Sequence, residues 1–313
     1  AASDVYKRQG MSWRSDRNEN EPEHETRTVT APVSPIVSGF APVANVSQTW
    51  TPTLRMLDDS CLLLVDLGHG RQRLGGSALA QVFREVGTEA PDVEEPEVLR
   101  AFFSAMNIMK QMHAGMPHSA PLVHAYHDRS DGGLLATVLE MSFAGRLGLD
   151  MDITGILHDT PMAALFNEEL GAVLQVRVKD VSAVTSVLAS MGVPSNIIHT
   201  VASVRGDEQI NIKCRGETLL SSTRAALQKA WADTSFRMQS LRDNPECAKQ
   251  ELAFIDEPAE TASLKYELTF HPAKTLQWSN PASIERPLAS QPRVAILREP
   301  VSYTHLTLPT ICS

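Results

Sequence analysis

Between residues 61 and 221, apolar runs of strand length alternate with glycine-ended helical stretches, at the spacing of βα units. "CLLLVDLG" (61–68) is a continuous apolar run closed by glycine, which reads as a buried strand. "GGSALAQVFREVG" (75–87) predicts a helix with a serine cap and a stop at Gly87. In "EPEVLRAFFSAMNIMKQMHAG" (95–115), Val98, Phe102, Met106 and Met109 recur at spacings of three and four, giving an amphipathic helix that ends at Gly115. "LVHAYH" (122–127) is strand-like and "LLATVLEMSFAG" (134–145) helical. "PMAALFNEELG" reads as a short helix and turn, and "AVLQVRV" (172–178) as a strand. "DVSAVTSVLASMG" (180–192) reads as a helix capped by Asp180, and "NIIHTVASV" and "EQINIKC" as paired strands before the "RGE" turn. Several neighbouring strands lie close enough for hairpins. The expected class is therefore α+β with a mixed sheet, not a purely doubly wound fold.

The flanks differ in character. Residues 11–30 are polar and acidic and read as a surface loop or disordered arm, while "APVSPIVSGFAPV" suggests an edge strand. "TRAALQKAWADTSFRMQSLRD" is helical, and the proline- and serine-punctuated stretch after it reads as a linker. "RVAILRE" (293–299) resumes a strand pattern. The expected divisions fall at 1–10, 11–60, 61–221, 222–292, 293–299 and 300–313.

A net charge of −9, with no basic stripe, argues against nucleic-acid binding. Apolar runs fall far short of the ~18 residues a membrane span needs, and the first residues lack the apolar core of a signal peptide. Four scattered cysteines (Cys61, Cys214, Cys247, Cys312) fit neither a zinc site nor a disulfide framework, so a reducing, cytoplasmic setting is expected.

The densest chemistry lies in "AYHDRSDGGLL" (125–135), where Asp128 would end a buried strand and a helix would start near Leu134. Ligands in α/β folds favour the carboxyl ends of strands. Magnesium takes hard oxygen ligands, which Asp128 and Asp131 offer, alongside nucleotide phosphates. A helix N-terminus favours an anion, and paired glycines (Gly132, Gly133) let backbone approach it. The plainer account is a turn, with Ser130 or Asp131 capping the helix. Arg129 reads as the ion-pair partner of a nearby carboxylate, and His124 and His127 as structural.

Elsewhere the signals are weaker. "GHGRQRLGGS" (68–77) misses the dinucleotide-binding register, because Arg73 stands where a glycine is needed, and reads as turns around a helix cap. Glu168 and Glu169 offer acid–base groups or, more plainly, a solvated helix end. The methionines of 106–116 are core filler, and no nucleophile elbow occurs.

Taken together, "HDRSDGGLLATVLEMSFAG", "LLLVDLGHGRQRLGGSALAQVF", "AALFNEELGAVLQVRV" and "RMQSLRDNPECAKQE" resemble the large, glutaminase-containing phosphoribosylformylglycinamidine synthase family. "RVAILRE" resembles the first strand of its glutaminase domain, and the resemblance covers about residues 11–299. It implies an internal fragment holding the tail of the second AIR-synthetase-like N-terminal domain (11–60), the following C-terminal domain (61–221), a helical segment and linker (222–292) and the start of the glutaminase (293–299). It implies an ATP- and glutamine-dependent ligase of purine biosynthesis that converts formylglycinamide ribonucleotide to its amidine. It further implies Asp128 as a Mg²⁺ ligand and Ser130 as an ATP contact, with Gly132 and Gly133 as further nucleotide-binding candidates. The family carries two related nucleotide sites, one of them auxiliary, and this motif belongs to the second.

The ends, "AASDVYKRQG" and "PVSYTHLTLPTICS", depart from the family and read as translated sequencing adapter, so residues 1–10 and 300–313 are assigned no function. The glutaminase catalytic residues are absent, and the chain alone is expected to be inactive. Two alternatives stand beside this reading. One is another ATP-dependent enzyme of the AIR-synthetase superfamily, which would not carry "RVAILRE" after a long linker. The other is a non-catalytic module whose acidic junction is only a cap.

Overall fold

A computed structural model of the chain describes residues 2–7, 12–14, 28–30, 35–40, 49–115, 121–258 and 267–270. The chain divides into two units, Ala1–Ala259 and Glu260–Ser313. "RVAILRE" lies outside the described residues, as does Cys312.

Two short antiparallel ladders come first: β1 (Ala2–Lys7) with β4 (Pro35–Phe40), and β2 (Ser12–Arg14) with β3 (Thr28–Thr30). The stretch read as a loop at 11–30 thus contains two strands, and the expected edge strand is β4. A seven-stranded mixed sheet then organises the rest. Its strands are β5 (Ser60–Asp66), β6 (Ala125–Asp128), β7 (Gly148–Asp152), β8 (Gly171–Arg177), β9 (Ile198–Arg205), β10 (Gln209–Cys214) and β11 (Glu217–Thr223), in the order β11-β10-β7-β9-β5-β8-β6. All pairings are antiparallel except β10 with β7. The helices are α1 (Ala78–Val82), α2 (Pro96–Gly115), α3 (Gly133–Gly145), α4 (Pro161–Phe166), α5 (Val181–Met191), α6 (Arg224–Arg242) and α7 (Pro245–Ala253).

β5 explains the layering. Every one of its residues is buried, and successive side chains of a strand point to opposite faces. Leu62 and Leu64 enter one apolar cluster with Leu134, Val138 and Met141 of α3. Cys61, Leu63 and Val65 enter another with Phe102, Met106 and Met109 of α2 and Leu188 of α5. Both faces of the sheet are thus covered by helices, and the α+β, mixed-sheet expectation holds.

The structure differs from expectation in further places. α1 spans Ala78–Val82, shorter than the expected 75–87. Arg84 beyond it takes a left-handed φ of 60°, and Gly75 is pressed so closely on the Glu89 carbonyl that a Cβ would lie 2.3 Å from it. β9 and β10 do not pair with each other, because β7, a short strand ("GLDMD") without clear alternation, lies between them. The "RGE" turn instead joins β10 to β11, with Arg215 and Gly216 both at positive φ, as tight hairpins require. Asp180 stands at the start of α5 but makes no side-chain cap, since a short 3₁₀ turn leads into the helix. Finally, the expected linker begins with a helix, α7, capped by Asn244 through the amides of Glu246 and Cys247.

Candidate functional site

The acidic junction sits where β6, at the sheet's edge, gives way to α3. Asp128 is the last residue of β6 and is exposed. Its Oδ1 accepts a hydrogen bond from the Tyr126 hydroxyl at 2.5 Å. Burial, then the bond to Asp128, pushes the Tyr126 phenol above its ordinary value, so it remains a donor. Trp50 stacks on Tyr126, ring centroids 6.0 Å apart, and the Lys110 ammonium sits 4.7 Å from the Trp50 ring centre. Ser130 and Asp131 are exposed. The Ser130 hydroxyl has no hydrogen-bond partner among the described residues, whereas its carbonyl accepts the Gly133 amide at 2.9 Å.

The two glycines have local reasons to be glycine. Gly132 (φ 82°) is the N-cap residue of α3, and Gly133 has φ 69°. A Cβ on Gly133 would lie 2.5 Å from the Asn167 carbonyl oxygen and 2.7 Å from the Phe166 carbonyl carbon. Their conformational freedom therefore serves close packing of α3 onto residues 165–167. The Gly132 amide is not free to meet an anion in this conformation: it donates to Glu168 Oε1 at 2.8 Å. No side chain of the junction caps α3, so the cap expected of Ser130 or Asp131 is supplied by a carboxylate 36 residues on.

Beneath the junction lies a network of buried charge. Arg129, 5% exposed, donates from Nη2 to Asp66 Oδ1 at 2.5 Å and to the Leu170 carbonyl at 2.9 Å. Its Nε donates to the Glu169 carbonyl at 2.6 Å. Asp66 ends β5, and its carboxylate also accepts the amides of Gly68 and Gly70 at 3.2 and 2.8 Å. Arg73, from that same glycine-rich loop, grips Glu169 through two bonds, Nε to Oε1 at 2.6 Å and Nη2 to Oε2 at 2.8 Å. These bonds raise the Arg73 pKa further, so the guanidinium is permanently charged. Asp66, Arg73, Arg129 and Glu169 thus tie the ends of β5, β6 and α4 into one rigid base.

Arg129 is the ion-pair partner the sequence suggests. Glu169 is not a solvated helix end: it is fully buried against Arg73. Glu168 is half-buried and bridges two backbone amides, Gly132 and Ala78, both at 2.8 Å. Ser77 caps α1 by accepting the Ala80 amide, as the turn-and-cap reading of "GHGRQRLGGS" expects. His127 pairs with Glu140 at 2.8 Å and His124 is buried. Among the described residues no group of three or more His, Cys, Asp or Glu side chains converges as a metal cage. Asp128 therefore fits magnesium as one of at most two such protein ligands, the pattern in which phosphate oxygens and water fill the remaining positions. No helix among the described residues is long and apolar enough to cross a membrane. For Asp66 and Arg73 as buried charge partners the sequence carries only a faint signal, an acid closing an apolar strand and an arginine interrupting a glycine loop.

Residues 59–210 match the family described as AIR synthase related protein, C-terminal domain. The phosphoribosylformylglycinamidine synthase of Schizosaccharomyces pombe is 40% identical over 294 residues, covering 92% of this chain and 20% of that protein. The chain thus spans about a fifth of the length of this relative. Among solved structures, Thermotoga maritima PurL complexed with ATP is 13% identical, with a TM-score of 0.43 over 58% of this chain and 27% of that one. Escherichia coli HypE, a hydrogenase maturation protein, is 18% identical, with a TM-score of 0.35 over 56% of this chain and 51% of that one.

Proposed function

We propose that residues 59–210, which match the AIR synthase related protein C-terminal domain in a chain similar to part of phosphoribosylformylglycinamidine synthase, serve such a synthase. The proposed reaction is that of the resembled family. ATP phosphorylates the amide oxygen of formylglycinamide ribonucleotide, and ammonia released from glutamine by a glutaminase domain displaces the phosphate to give the amidine. The observation that carries this is the 40% identity over 294 residues. A cytoplasmic setting goes with the proposal.

At this site we assign Asp128 to hold Mg²⁺ and Ser130 to contact ATP. Support comes from their exposure at the carboxyl end of β6, beside a rigid base of paired charge. A magnesium ion there would neutralise phosphate charge. Tyr126 fixes one Asp128 oxygen, Arg129 anchors the strand end beneath it, and the exposed Ser130 hydroxyl is available as donor or acceptor. Gly132 and Gly133 serve the site indirectly, by shaping the turn that carries Ser130. The chain alone is expected not to turn over formylglycinamide ribonucleotide with ATP and ammonia.

Thermal denaturation with and without Mg-ADP is the test. A raised melting temperature that Asp128→Asn removes supports the assignment. An unchanged melting temperature favours the second reading, a non-catalytic module. The bond between the Gly132 amide and Glu168, which satisfies the helix start from within, is what favours that second reading.

A further inference from the structure

We propose that Glu168 is a positioning residue: its carboxylate locks the Ser130–Gly132 turn to the start of α1 and so fixes where Ser130 stands. A single oxygen, Oε1, accepts the amides of Gly132 and Ala78, each at 2.8 Å. Those amides open two helices, α3 and α1, which otherwise belong to separate parts of the chain. Helix-start amides lack partners within their helix, and a carboxylate is favoured at that end. No side chain of the turn takes the Gly132 amide, so the lock comes from outside.

Glu168 itself is held from both sides. Asn167 donates to the carbonyls of Ala163 and Ala164 at 2.6 and 3.2 Å, closing the end of α4. Glu169 is clamped by Arg73 through its carboxylate and by Arg129 through its carbonyl. A carboxylate mounted on such a base holds the turn in one place, with the adjacent Glu169 fully buried beneath it. The same arrangement fixes the turn relative to the glycine-rich loop, because Arg73 and Ala78 lie at either end of that loop's exit into α1.

The functional half of the proposal rests on the nucleotide site proposed above. Two readouts on the full chain keep the two apart. The first is amide hydrogen exchange in peptides covering residues 78 and 132, compared among wild type, Glu168→Ala and Glu168→Gln. Glutamine keeps a carbonyl oxygen able to accept both amides, so exchange is expected to rise about tenfold in Glu168→Ala and to return close to wild type in Glu168→Gln. The second is the dissociation constant for Mg-ADP, expected to weaken about tenfold in Glu168→Ala and to recover in Glu168→Gln. Unchanged exchange in Glu168→Ala overturns the lock. Equal loss of Mg-ADP binding in both variants, with exchange restored in Glu168→Gln, overturns positioning and makes the charge itself the contributor. Failure of the wild type to bind Mg-ADP sinks the nucleotide reading alone, and the exchange data still decide the lock.

Discussion

At the scale of single residues, the junction works through groups that cannot be exchanged for near equivalents. Arg129 spends its planar fork on a carboxylate and two carbonyls, all in the interior. Arg129→Leu would leave Asp66 buried without its cation, a loss of about 3–5 kcal/mol by the usual penalty for breaking a buried pair. Lysine should not rescue it, since an ammonium cannot reproduce the fork. Urea unfolding of the two variants checks this, and equal stability of Arg129→Lys and wild type would refute it. Gly133→Ala pushes a methyl group into the 165–167 backbone at a positive φ, and about 2–3 kcal/mol of destabilisation is expected in the same measurement. What could be read from sequence here was the type of partner each residue needs, not its address. A charged residue between apolar strands must find a counter-charge, but Asp66 lies 63 positions away from Arg129. In the same way a helix start needs an acceptor. The nearest candidate, Asp131, lost to Glu168 because close packing at Gly133 brings the 165–169 segment against the turn.

At the scale of elements, sequence periodicity located the long helices and the fully apolar strand, because each carries its own signal. It misjudged β7 and the β9–β10 pairing, because strand partners are chosen by packing across the sheet. β9 also carries a group that gives the domain a pH dependence. Burial pushes the His199 imidazole below its ordinary value; Asp66 opposes this, while His158 and Arg129 reinforce it. The folded state therefore resists a proton that the unfolded chain accepts near pH 6.5. This contribution to stability is complete above that pH and is lost as pH falls below it, by at most about 1.4 kcal/mol per pH unit. The lowered carboxyls of Asp150 and Asp152 weaken the fold only at lower pH still, below about 4. Unfolding midpoints recorded from pH 7.5 to pH 5 should decline, and His199→Gln should flatten the decline. An unaltered slope in that variant would assign the effect elsewhere.

At the scale of the whole molecule, the composition shift near residue 222 suggested a boundary, but the structure carries the domain past it. Arg224, 1% exposed, reaches back to Glu208 in the β9–β10 connection at 2.8 and 2.9 Å and forward to the Ile255 carbonyl at 3.0 Å. Arg146, just after α3, donates to the carbonyls of Phe254, Ile255 and Glu257. Burial and the nearby Arg224 charge push the Arg146 pKa down, yet the ordinary value is high enough that it stays cationic. Leu227 packs against the same apolar cluster that α3 fills. A helix whose mean character is polar was readable as a helix; its attachment was not, because two arginines and a few carbonyls leave no periodic trace. A chain ending at Ser221 would therefore strip a buried cation from Glu208, free Arg146 of its acceptors and expose the flank of α3. It should melt well below the full chain. Arg224→Met in the intact chain separates the ionic part from the packing, and should cost about 1–3 kcal/mol because Glu208 stays partly solvated. If the chain ending at Ser221 melts with the full chain, α6 and α7 are an appendage and the boundary at 222 stands.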